Sequence, residues 1–248
     1  MSSSQEHSVS VKRMIPWATA LGLVIGISVI ASMYWQQTVH VGEVRILGTQ
    51  LTAQQDVMDS IRIPEGTNPD SVDLDALVKD LKTLPYIRKV IPFVEPNGDL
   101  ELQITERIPL ALVLDGIKRA WVDNEGVVMP VSPAHPMDLP LVYGFSASPG
   151  DTLTRSDFIE IRDFLVAARE QTFGWVTISE TVFDPKHGVV ALSHEHGVKL
   201  LFGRGEFDVK LDNWKAFYTQ VIREKGIQSM QQVDLRFTNQ VVTKEVSL

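Results

Sequence analysis

The spacing of apolar and polar residues changes three times along the chain. Between Met14 and Trp35 it has no period and no charge: Ile15, Trp17, Leu21, Leu23, Val24, Ile25, Ile27, Val29, Ile30, Tyr34 and Trp35 fall in one run rich in Ile, Leu, Val, Ala and Gly. About 20 such residues at helical rise cross a ~30 Å hydrocarbon core, and lipid offers an open backbone no hydrogen bonds. The run therefore predicts one transmembrane helix over residues 14–35. Trp17 at one end, and Tyr34 with Trp35 at the other, suit the headgroup level. Lys12 and Arg13 precede the run and the next basic residue is Arg45. That asymmetry puts residues 1–13 in the cytoplasm and the long C-terminal part outside. A cleaved leader would have a shorter apolar core and a small-x-small site, where this chain has bulky Met33-Tyr34-Trp35.

After a short linker, residues 36–40, shorter rhythms begin. Val44 and Ile46 make a strand closed by Gly48, and Thr52 is placed to cap a helix through Val57, Met58 and Ile61. Leu74, Leu77, Leu81 and Leu84 recur at helical spacing, with Asp73 and Asp75 at the start and Pro85 as the stop. Residues 88–95 are β-rich, Pro96-Asn97-Gly98-Asp99 is a turn, and Leu100, Leu102 and Ile104 alternate with polar neighbours. The order is β-α-α-β-β.

The third region is dominated by strands. Residues 111–115, 119–122 and 127–129 surround the turns Asp115-Gly116 and Asp123-Asn124-Glu125-Gly126. Four prolines punctuate a connector before Leu141-Val142-Tyr143. A helix starting at Thr154 or Ser156 carries Phe158, Ile161, Leu165 and Ala168 on one side, and a second runs through Leu211, Trp214, Phe217, Tyr218 and Val221. Residues 176–182, 188–192, 198–202 and 233–237 read as strands. The expected class is α+β, with two helices packed on a strand-rich domain.

Composition narrows the chemistry. The chain has no cysteine, which excludes disulfide scaffolds, thiolate metal sites and cysteine catalysis. With Lys12, Arg13 and Glu6 set aside, residues 36–248 hold 21 basic and 30 acidic residues, no footprint for nucleic acid. His194-x-His196 with His187 could suggest a metal, but a solvated hairpin turn accounts for the same residues. Gly203-x-Gly205 lacks the βαβ context of a dinucleotide site, and Gly144-Phe145-Ser146 is not a nucleophile elbow. No catalytic, metal or cofactor residue is assigned. Glu106-Arg107, at a strand end, reads as a solvated edge.

Several segments, in order, resemble one family. The strand ending Leu47-Gly48, the segment Leu84-Pro85-Tyr86-Ile87 after a helix pair, and Glu106-Arg107-Ile108-Pro109-Leu110-Ala111 look like a POTRA domain of the FtsQ/DivIB division proteins. The aspartate-x-x-glycine turn at Asp123, Leu201-Phe202-Gly203-Arg204-Gly205-Glu206, Lys210-Leu211 and Val233-Asp234-Leu235-Arg236-Phe237-x-Asn239 continue the likeness. Phe237 stands where the family has tyrosine, and Gln240 where glycine is common. The resemblance implies a POTRA domain over 41–107, a β domain over 108–248, and a single-pass protein of the bacterial inner membrane whose periplasmic domains act at the division septum. It also implies a non-enzymatic divisome scaffold that binds FtsB and FtsL, recruits other division proteins and helps regulate septal wall synthesis. A polypeptide-transport or outer-membrane assembly factor is the alternative, and such proteins add tandem POTRA units or a barrel.

The partner site is expected at the C-terminal end. Residues 240–246 are β-prone with no strand after them in sequence, a plausible sheet edge. The resemblance points to the same place, giving Arg236, Phe237, Asn239, Val241, Val242 and Thr243 as candidate partner-binding residues.

Overall fold

The structure, a computed structural model, describes residues 15–38, 40–64, 66–238 and 240–246, with no side-chain detail at 15–19 and 33–38. Helix α1, Ile15–Thr38, is 24 residues long without a charged residue. The side chains of Ile15, Trp17, Tyr34 and Trp35 lie outside the described residues. Leu21, Leu23, Val24, Ile25, Ile27, Val29 and Ile30 are all more than half exposed, so no protein surface packs on this stretch. The side chains described in it are those of residues 20–32. Among the described residues, no helix is long and apolar enough to cross a membrane.

The segment after α1 follows the expected order. Strand β1 (Val44–Leu47), α2 (Gln54–Ser60), α3 (Leu74–Leu81), β2 (Ile87–Val94) and β3 (Leu100–Glu106) form a three-stranded sheet in the order β1-β3-β2. β1 runs parallel to β3, with Val44 opposite Leu100. Val57, Leu77, Leu81, Leu100, Leu102 and Ile104 are buried, the in-facing positions of both periodicities. Pro92 sits on the outer strand β2, where a missing donor is tolerated. Leu84 departs from expectation: α3 stops at Leu81, and the Leu84 carbonyl accepts a hydrogen bond from Ile87 at 3.1 Å. Pro85 disfavours helical backbone at the residue before it, so the helix closes earlier than the leucine spacing implies.

The rest of the chain builds a nine-stranded sheet from β4 (Pro109–Asp115), β5 (Lys118–Asp123), β6 (Val128–Met129), β7 (Leu141–Tyr143), β8 (Ile178–Asp184), β9 (Gly188–Ser193), β10 (Lys199–Gly203), β11 (Met230–Asp234) and β12 (Val242–Glu245). The strand order is β12-β11-β10-β9-β8-β7-β4-β5-β6. Helices α4 (Ser156–Glu170) and α6 (Phe207–Phe217) bury Phe158, Ile161, Leu165, Leu211 and Trp214 with the sheet residues Val113, Val142, Ala191, Leu200, Phe202 and Val233.

Two helices were expected here, and a third, α5 (Thr172–Thr177), occupies the start of the region read as strand from Val176. Tertiary contact overrides local β propensity at this point. The Trp214 indole N–H donates to Thr177 Oγ1 at 3.0 Å, and at Gly174 a Cβ would approach the Leu211 side chain to 3.0 Å. Beyond Phe217 the helix loosens into a π turn, Tyr218–Ile222.

By packing, the chain forms two compact units. Among the described residues, one comprises those of 15–48, 54–81 and 90–104; the other comprises those of 49–53, 82–89 and 105–246.

Candidate partner-binding edge

A sheet strand satisfies one side of its backbone with each neighbour, so the outer side of a terminal strand is left to solvent or to a partner. The nine-stranded sheet ends in β6 and β12. The β6 end is covered: Val128 N–H donates to Asp151 O and Gly150 N–H to Val128 O, both at 2.9 Å, and Val127 bridges Thr152. The β12 end is open among the described residues, and all four of its residues are exposed.

The pairing fixes which groups point outward. β12 runs antiparallel to β11, with Asp234 opposite Val242, Val233 opposite Thr243 and Gln232 opposite Lys244. Val246 N–H donates inward to Ser229 O at 2.9 Å. Backbone direction alternates along a strand, so Val242 and Lys244 share that inward sense, while the N–H and C=O of Thr243 and Glu245 face away from the sheet. Lys244 and the Lys225–Glu245 ion pair at 2.7 Å supply charge along the edge, which discourages uncontrolled pairing.

Four of the six expected partner residues come together here. Phe237 and Val242 are 43% and 45% exposed, Thr243 is exposed, and Arg236 is half-buried. Val241 instead packs partly against the helix-covered core. Asn239 lies outside the described residues. The alternation Val233, Leu235, Phe237 predicts a strand through 237 with Phe237 inward, but β11 ends at Asp234 and Phe237 lies in a bend facing solvent.

The physical reason is Asp234, which the terminal motif contains but which was not among the expected partner residues. Asp234 is 6% exposed, and its carboxylate takes three bonds from Arg236: the backbone N–H at 3.1 Å and Nε at 2.8 Å on Oδ1, and Nη2 at 2.5 Å on Oδ2. Burial alone would raise the Asp234 carboxyl, but the Arg236 hydrogen bonds outweigh it and hold the group below the usual carboxylate range. This capture folds residues 234–236 back on themselves. Leu235 N–H still donates to Leu201 O at 2.9 Å, so the chain keeps β10 as neighbour.

The segment Gly203-Arg204-Gly205 borders the same corner. Gly203 has φ +76°, and a Cβ there would come within 2.9 Å of Arg236 Cγ, so glycine leaves the space the arginine stem occupies. Lys210 Nζ donates to Arg204 O at 2.8 Å and Gly205 O at 2.7 Å, fixing the turn from below. Desolvation pulls the Lys210 amine below its ordinary value.

Glu106-Arg107 is not a solvated edge. Glu106 Oε2 accepts the N–H groups of Gln50 and Leu51, both at 2.8 Å, and Oε1 accepts that of Thr52 at 2.7 Å. Thr52 thus contributes its backbone to Glu106. Arg107 Nη1 reaches Asp123 at 2.7 Å and Glu125 at 2.8 Å, and Arg88 Nη2 binds Glu125 at 2.6 Å. Asp123 Oδ1 accepts Glu125 N–H and Val127 N–H at 2.9 Å each, which makes the aspartate-x-x-glycine turn. The pair is internal scaffolding.

His187 Nδ1 lies 3.0 Å from Asp184 Oδ1, a carboxylate that also accepts the backbone N–H groups of Lys186 and His187 and so closes the β8–β9 hairpin. Among the described residues, no cluster of three His, Asp or Glu side chains is placed to hold a metal ion.

The family model described as POTRA domain, FtsQ-type, matches residues 39–107, and the one described as FtsQ/DivIB, C-terminal related, matches residues 108–244. The cell division protein FtsQ of Rhodothermus marinus is 25% identical over 90% of this chain and 85% of its own length. That of Salinibacter ruber is 25% identical over 90% of each. The major extracytoplasmic domain of DivIB from Geobacillus stearothermophilus, 17% identical, covers 48% of this chain and 97% of its own with a TM-score of 0.33. The chain belongs to the FtsQ/DivIB family of bacterial cell-division proteins.

Proposed function

We propose that this chain is a non-enzymatic divisome scaffold that captures the small division proteins FtsB and FtsL through its periplasmic domains. In this role it would recruit other division proteins and help regulate septal wall synthesis. The open β12 edge carries the proposal. Its outward N–H and C=O groups at Thr243 and Glu245 suit addition of a partner strand, with Phe237 alongside as an apolar anchor. The exposed apolar α1 supports a membrane anchor over residues 14–35, with residues 36–40 as linker and the POTRA (41–107) and β (108–248) domains in the periplasm. Anchoring restricts the partner search to the membrane plane and raises effective concentration without new contacts.

The test is binding of FtsB to the detergent-solubilised chain. Phe237→Ala should weaken capture by about 1–2 kcal/mol, roughly five- to thirtyfold, with the thermal midpoint unchanged. Absence of binding by the wild-type chain, or full binding by the folded variant, would remove this edge from consideration.

A further inference from the structure

We infer that Asp234 is the positioning residue of this edge: it grips Arg236 so that the guanidinium and the neighbouring Phe237 ring meet an incoming strand as one prearranged surface. This inference rests on β12 being the partner edge, and it names what sets that edge's geometry.

Pattern and structure conflict at this corner. Hydrophobic alternation would carry β11 on to Phe237 and turn the ring toward the core. Asp234 prevents this. Its buried carboxylate requires a cation, and Arg236, two residues on, supplies both a backbone N–H and a two-pronged guanidinium contact. The side chain then lies across Gly203, the one residue type that leaves it room. The guanidinium carbon ends 6.0 Å from the Phe237 ring centroid, within cation–π range. Nε and Nη2 are occupied, whereas Nη1 makes no hydrogen bond among the described residues. It can donate to a carbonyl or carboxylate of a partner strand. Asp234 also sits directly opposite Val242, the first residue of β12, so one side chain fixes where β11 stops and what stands beside the edge. An arginine held in this way loses less side-chain entropy on binding than a free one, which is the physical content of positioning.

The experiment is a double-mutant cycle in the full chain, in detergent at neutral pH, with FtsB as the probe. Asp234→Asn and Arg236→Met should each weaken binding about tenfold, the loss of a charge-assisted hydrogen bond. The double variant should be no weaker than Arg236→Met alone, because Asp234 acts only through the arginine. A second measurement needs no partner: the Arg236 Nε–H, read by NMR, should be protected from solvent exchange in the wild type and unprotected in Asp234→Asn. Additive losses in the cycle, wild-type binding by Asp234→Asn, unfolding of that variant, or an unprotected wild-type Nε–H would each overturn the inference. Wild-type protein that does not bind FtsB would instead overturn the partner assignment, and with it the presenting role.

Discussion

At the scale of single residues, the charged motifs act mainly by holding backbone in place. Glu106 collects three successive N–H groups from residues 50–52, an anion cradle that ties a distant loop to the end of β3. Burial alone would raise its carboxyl, and the hydrogen bonds from Leu51, Thr52 and Gln50 overcome that and lower it. A group depressed in the folded state stabilises fully above its unfolded value, near pH 4.3, and loses that contribution as pH falls through the folded value. Glu106→Ala should cost about 1–3 kcal/mol in urea unfolding at pH 7, and the deficit should shrink as pH is lowered through the carboxylate range. A pH-independent deficit would show that the carboxylate charge is not what holds the loop. The motif was visible in the sequence, yet its role was not, because the partners of Glu106 lie 54–56 residues away. Arg107 is the same case, since nothing in the local pattern says that it meets Asp123.

At the scale of elements, periodicity gave the strands and long helices and failed at their ends. Leu84 keeps the leucine spacing of α3, but Pro85 closes the helix first. Phe237 keeps the alternation of β11, but Asp234 captures Arg236 and ends the strand. Both failures come from a specific bond or steric clash that a hydrophobic pattern does not encode. The same limit applies to β12: its β propensity was legible, whereas the direction of each N–H depended on pairing with β11. That direction separates two proline substitutions. Val242→Pro removes an N–H with the inward sense and should cost the fold about 1–2 kcal/mol in thermal or urea unfolding. Thr243→Pro removes an outward N–H, so it should leave unfolding nearly unchanged and weaken FtsB capture. If the two variants are equally stable and bind equally, the assigned phase of the edge is wrong.

At the scale of the whole molecule, the family models meet at residue 107, while packing draws residues 49–53, 82–89 and 105–107 into the unit that holds the nine-stranded sheet. Within that unit, Tyr86 OH donates to Pro130 O at 3.1 Å, its ring lies 6.2 Å from that of buried Trp121, and Arg88 pairs with Glu125. The leucine-proline-tyrosine segment therefore places Tyr86 against β5 of that unit as well as ending α3. No such packing partner exists for the exposed apolar residues of α1 among the described residues, and burying them in lipid would remove their contact with water. With Lys12 and Arg13 before the run and no basic residue after it until Arg45, the N-terminus should stay in the cytoplasm. The absence of native cysteine makes this directly measurable, because any introduced thiol reports alone. In intact spheroplasts, a Thr38→Cys variant should react with a membrane-impermeant thiol reagent, and a Ser4→Cys variant should react only after the membrane is opened. Reversed labelling would overturn the orientation. Equal labelling of both variants in intact cells would overturn the span itself, since a segment that never crosses the bilayer cannot separate its two ends.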